Sequence, residues 1–202
     1  MKIQRQRISS LHQRGVTLTE TLLVLALAAV MAAGAYRAYA SASNDAKTSE
    51  LGNGTVALIG KIKQVWGTDG NYVSLKPETL DRAGILPAQF RTNRDGSNPA
   101  TEIRDTFGNT ISVYGQSGSF TLGFENLSRD TCSTLATTLA SLAFRIHVGA
   151  GARNSDGSIA PSGGRAYKGP TVTAISGLDT EALVMACDDA TPANRLIVAE
   201  VR

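Results

Sequence analysis

The chain has 202 residues with 20 basic and 17 acidic side chains, a length that suits one domain with at most a small added element. With 42% apolar and 18% charged residues it is neither a disordered tail nor a low-complexity polymer. The formal charge of +3 invites a nucleic-acid reading, but Lys2, Arg5, Arg7 and Arg14 fall in residues 1–15 without an acid, and residues 16–202 hold 16 basic against 17 acidic groups. No basic run or basic-aromatic interleaving follows, so nucleic-acid binding is not expected.

Residues 16–36 form the first element. Thr21 to Tyr36 carries no charge. As a helix the 21-residue stretch is about 31 Å long, the thickness of a bilayer core. Four cations precede it, so the positive-inside rule puts the N-terminus in the cytoplasm and everything after about residue 40 outside. Two processing readings compete. In one, Ala38-Tyr39-Ala40 is the cut site of an ordinary secretory signal, and a periplasmic enzyme or binding protein begins at Ser41. Glu20, an acid at the mouth of the apolar stretch, weighs against it.

The second reading takes Arg14-Gly15-Val16-Thr17-Leu18-Thr19-Glu20 as one unit: a basic leader ending in Gly15, then Val16, then an acid five positions past the cut, and only then the apolar helix. This resembles the class III signal of type IV pilins. The fifteen-residue leader, Val as first mature residue and a remaining length of 187 residues resemble the type IVb branch, which includes bundle-forming, toxin-coregulated and thin conjugative pilins. The resemblance implies cleavage by prepilin peptidase between Gly15 and Val16, N-methylation of Val16 and retention of the helix. It also implies an assembly ATPase, a platform protein and a secretin as partners.

Glu20 has a physical role in this reading. A carboxylate in an apolar bundle is costly unless paired. The new amine on Val16 lies four residues away, on the same helical face. Between subunits, Glu20 of an incoming chain can meet the Val16 amine of its neighbour and set the stagger, the assembly and registry role that the resemblance implies. Glu20 can also serve the helix N-terminus as a favourable charge.

No proline precedes Pro77, so one helix is expected from about residue 17 to Trp66. Residues 16–40 form its membrane and filament-core half, and 41–66 an amphipathic half. Leu51, Thr55, Leu58, Ile62 and Val65 make the stripe that packs on a head of residues 67–202. Gly52-Asn53-Gly54 is the expected weak point, open to local unwinding. Gly34 is either incidental or a site of close helix contact.

The head reads as follows. Asp69 to Tyr72 is a turn, and Pro77 to Ala83 a short helix. Residues 90–105 form a loop. Asp105 to Gly108 resembles the Asn-Pro-Phe/Trp-Gly turn before the first pilin strands, matching at Phe107 and Gly108. Ile111–Tyr114 and Phe120–Phe124 flank Gly115–Ser119 as an antiparallel hairpin. Asp130 to Phe144 is a helix, Gly149 to Gly169 a Gly/Ser-rich loop, Thr180 to Cys187 a helix capped by Asp179, and Leu196 to Val201 a final strand. The expected class is α+β: a pilin fold with a long helical spine packed on an antiparallel sheet.

Cys132 and Cys187 both lie on the side expected to be exported, where disulfides persist. Two free buried thiols are the other reading. In type IVb pilins a disulfide bounds the exposed C-terminal region, which the resemblance carries onto residues 132–187.

Catalysis finds little footing. His12 lies in the leader, and His147 stands alone in a strand-like stretch. No triad or phosphate loop can be assembled. Asp179, Glu181, Asp188 and Asp189 read as a solvated face rather than a cation site. The chain is therefore expected to be a non-enzymatic subunit without metal or cofactor, made as an inner-membrane precursor and assembled into an extracellular pilus. A major type IVb pilin serving adhesion, aggregation or conjugative contact is the expected role. A minor pilin or type II secretion pseudopilin is the alternative.

Overall fold

A computed structural model describes residues 17–92, 101–153, 159–161, 165–168, 179–188, 191 and 195–202. By its packing the chain divides into two units, one reaching to Asn44 and the other Asp45–Arg202. In the first unit the described residues are helical from Leu18 onward. They belong to α1 (Leu18–Trp66). The helix starts at Thr17, whose carbonyl accepts from the Glu20 and Thr21 amides at 3.0 and 3.2 Å. It ends in a glycine turn, where the Gly67 amide donates to the Lys63 carbonyl and Gly70 adopts φ +62°.

In the second unit α1 supplies Leu51, Gly54, Thr55, Leu58, Ile59 and Ile62 as its buried positions. Val65, expected at the end of this stripe, is exposed instead. The 3.6-residue period carries the contact one turn on to Trp66, which packs against the core. The helix continues through Gly52-Asn53-Gly54 without unwinding.

α2 (Pro77–Arg82) starts on its proline. A 3-10 turn at Ala88–Phe90 leads up to the stretch 90–105 expected to be loop, and within that stretch lies a two-residue strand β1 (Ile103–Arg104). β2 (Thr110–Gln116) and β3 (Ser119–Phe124) form the hairpin. Its turn is Ser117-Gly118, tighter than the five residues expected, because Gly118 takes φ +83°. α3 (Arg129–Ala140) is capped by the Ser128 hydroxyl, which accepts from the Thr131 amide at 3.2 Å. It stops four residues before the expected Phe144. Leu142 and Ala143 amides turn back onto the Leu139 carbonyl, and the Phe144 amide donates to Glu200 to begin β4 (Arg145–Gly149). Within the stretch expected to be loop lie β5 (Gly151–Arg153), β6 (Ile159–Pro161) and β7 (Arg165–Lys168). α4 (Thr180–Cys187) and β8 (Leu196–Val201) complete the chain.

Among the described residues the strands form a six-stranded antiparallel sheet in the order β1-β2-β3-β8-β4-β7, and a separate β5-β6 pair. The C-terminal strand β8 lies between β3 and β4. Strand alternation decides which face is apolar. The cross-strand pairs Ile111–Phe124, Val113–Leu122, Phe124–Ile197, Leu122–Ala199, Ile146–Ala199 and Val148–Ile197 are all buried. This face and the buried stripe of α1 belong to one core, centred on Phe90, Phe120, Phe124, Leu51, Leu58 and Ile62.

Candidate assembly elements

Two sets of residues are candidates for the site: those of the apolar helix and those that hold the second part of α1 within the second unit. Gly15 and Val16 lie outside the described residues. Glu20 sits in the first turn of α1 and is exposed, its amide held by the Thr17 carbonyl at 3.0 Å and the Thr17 hydroxyl at 3.3 Å. The turns that follow expose Leu22, Leu23, Val24, Leu25, Leu27 and Met31, so a stretch long and apolar enough to cross a membrane is covered by none of the described residues. Gly34 adds bare backbone to this surface, and a Cβ there would meet no atom within 4 Å.

In the second unit α1 is held at two consecutive residues. The Thr106 hydroxyl donates to the Lys47 carbonyl at 2.9 Å, and the Lys47 ammonium lies 5.7 Å from the centre of the Phe107 ring. The Thr48 hydroxyl bonds the Thr131 hydroxyl at 2.9 Å, which accepts from Ser128 at 2.8 Å. The turn that presents Thr106 is organised by Asp105. One carboxylate oxygen accepts from the Phe107 and Asn109 amides at 2.9 and 2.7 Å, the other from the Asn109 side chain at 3.2 Å, and Gly108 takes φ +89°. The resemblance at Phe107 and Gly108 located this turn. Nothing in the sequence pointed to Lys47, Thr48 and Thr131 as its partners, because hydroxyl contacts between distant elements leave no periodic signal.

Gly54 is a second feature the sequence did not disclose. A Cβ at this position would lie 2.6 Å from Phe90 Cζ and from Gln89 Nε2. The bare backbone therefore receives the fully buried Phe90 ring, and the glycine read as a weak point is a packing contact.

Cys132 in α3 and Cys187 in α4 are bonded and buried, with Cα atoms 5.6 Å apart. The bond joins the two helices, and Arg129 and Asp188 pair across the same junction at 2.9 Å. Of the four C-terminal acids, Asp179 caps α4 by accepting from the Ala182 amide at 3.0 Å, Asp188 is the partner of Arg129, Glu181 is exposed, and Asp189 lies outside the described residues. No cluster of three metal-ligating side chains occurs among the described residues. His12 lies outside the described residues. His147 is in β4, half-buried. Burial, and secondarily the Arg145 charge, push its pKa below the ordinary histidine value, with Glu200 acting in the opposite sense.

A helix whose N-terminal stretch is apolar and uncovered, tied at its second half into a disulfide-bounded antiparallel α+β unit, defines a pilin-type filament subunit. Residues 10–36 match the prokaryotic N-terminal methylation motif. Residues 42–199 match the PilS N-terminal family, and the chain belongs to that family. It is a structural subunit of a pilus. The major structural subunit of bundle-forming pilus from Escherichia coli O111:H- is 25% identical over 169 residues, covering 80% of this chain and 84% of the relative. Its counterpart from Escherichia coli O127:H6 gives the same identity and coverage. The crystal structure of TcpA, a type IV pilin from Vibrio cholerae El Tor, aligns over 77% of this chain and 99% of its own at 13% identity, with a TM-score of 0.45. The type IVb pilin from Salmonella typhi aligns over 77% and 97% at 14% identity, with a TM-score of 0.44. These relatives are structural pilins, not enzymes. Such a chain is a membrane-anchored precursor, processed at its methylation motif and assembled with copies of itself into an extracellular pilus.

Proposed function

We propose that this chain is the major pilin of its filament. Prepilin peptidase removes residues 1–15 at the cytoplasmic face, cutting between Gly15 and Val16, and Val16 is N-methylated. The basic leader holds the N-terminus in the cytoplasm while the head is exported. Residues 16–40 then leave the bilayer for the filament core, 41–66 carry the head, and 67–202 form the pilus surface, with 132–187 as its disulfide-bounded region. An assembly ATPase, a platform protein and a secretin act on the subunit. The filament serves adhesion, aggregation or conjugative contact. The chain carries out no catalysis of its own.

The observation that carries this reading is the uncovered, charge-free stretch of α1 with Glu20 at its mouth. Exposed to water, so much apolar surface is unfavourable, at roughly 25 cal/mol per Å². It is satisfied first by lipid and then by identical helices. Glu20 is compatible with both states when a Val16 amine neutralises it, and a misregistered helix would leave it unpaired. The test is the intact mass and N-terminal sequence of subunits sheared from cells. N-methylated Val16 is expected, and a mature chain starting at Ser41 overturns the reading.

A further inference from the structure

Arg37 is the one cation on α1 between Thr21 and Asn44, and it is exposed. No ion pair or hydrogen bond joins it to any described residue. Its helical neighbours three and four residues away are Ala33, Gly34, Ala40 and Ser41, none of them charged. Asp45 is likewise exposed and unpaired among the described residues. The two are eight residues apart in sequence, twice the i,i+4 spacing at which side chains of one helix pair.

We propose that Arg37 of one subunit pairs with Asp45 of a second copy in the pilus. The proposal rests on the filament reading above and extends its stagger. If Glu20 of one copy meets the Val16 amine of another, the two helices are offset by four residues, about 6 Å. A further copy offset by twice that, in the same direction, brings its Asp45 level with Arg37 of the first. Glu50 lies 13 residues beyond Arg37 and Glu20 lies 17 before it, and neither spacing is a multiple of four. The series therefore selects Asp45 among the acids of α1. A guanidinium enclosed by apolar helices is unfavourable without a carboxylate, so the pair reports register at a second level, one helical segment above Glu20.

The test is a charge swap in the full chain, with pili sheared from cells and measured against processed subunit in the membrane. Arg37→Asp and Asp45→Arg alone should each lower the pilus yield by about tenfold or more, and the double variant should restore it. Normal yield from Asp45→Arg overturns the proposal, as does a double variant that is processed but not rescued. Because Arg37→Asp can disturb membrane insertion, a second measurement uses Arg37→Cys with Asp45→Cys in one chain. Oxidation of sheared pili should give covalent subunit ladders, and their absence overturns the pair. Wild-type cells without filaments, or a subunit starting at Ser41, would refute the filament reading itself. Wild-type filaments with an unaffected Asp45→Arg variant would refute only the pair.

Discussion

Gly54→Ala separates helix propensity from packing. By propensity alone, alanine in a helix interior is favoured over glycine by about 1 kcal/mol. In the fold the new Cβ would lie 2.6 Å from Phe90 Cζ, 3.1 Å from Phe90 Cε2 and 2.6 Å from Gln89 Nε2. The glutamine amide is the end of a flexible chain and can move. The Phe90 ring is fully buried in the centre of the core and has nowhere to retreat. Overpacking of this kind costs about 1–3 kcal/mol and the propensity gain offsets about 1 kcal/mol of it, so the net effect is a loss of up to about 2 kcal/mol, or up to roughly 8 °C in melting temperature for a chain of this size. Gly52→Ala, two residues away, is the control. No atom lies within 4 Å of its Cβ, so it should gain up to about 1 kcal/mol. Thermal unfolding of detergent-solubilised, oxidised subunits followed by circular dichroism reads both. A Gly54→Ala chain at least as stable as the wild type would refute the packing role and leave propensity as the whole account.

Three further outcomes are expected. Glu20→Ala should be cleaved and methylated as usual yet give few sheared pili; normal pili from this variant would dismiss the amine pairing. Cys132→Ser with Cys187→Ser opens a loop with a sequence separation of 55 residues. It should lower subunit stability by about 4 kcal/mol in the chain-entropy account, measured by denaturant unfolding against the oxidised wild type. The third concerns pH. Burial favours neutral His147 in the folded chain, so the unfolded chain binds more protons near its ordinary value. This group's contribution is therefore constant above about pH 6.5 and falls away as pH drops below it toward the lowered folded value. His147→Gln should flatten the slope in that window, and an unchanged slope would assign it to other groups.

The long helix was legible because its signals are local: no proline before Pro77, a charge-free run from Thr21 to Tyr36, and an apolar stripe from Leu51 to Ile62. The β2–β3 hairpin, α4 with its Asp179 cap and the final strand were legible for the same reason. The cysteine bond followed from compartment and resemblance rather than from spacing. Misreadings fell where local preference and tertiary contact disagree. The sequence alone extends α3 to Phe144, but the chain leaves the helix at Ala140 so that the Phe144 amide can pair with Glu200. The Gly/Ser-rich stretch from Gly149 to Gly169 contains β5, β6 and β7, strands with weak propensity of their own that exist through their partners.

By itself the sequence determined that the first part of the chain is a basic segment followed by an apolar helix with one acid at its mouth, because charge and period are read one residue at a time. It also determined that the remainder alternates toward an antiparallel sheet. Only the tertiary structure decided that β8 enters between β3 and β4, that Thr48 and Lys47 are the points where α1 is held, and that Gly54 admits the Phe90 ring. Each of these depends on which apolar faces meet across long stretches of chain. That choice is made by the packing of the whole core, and no window of sequence contains it.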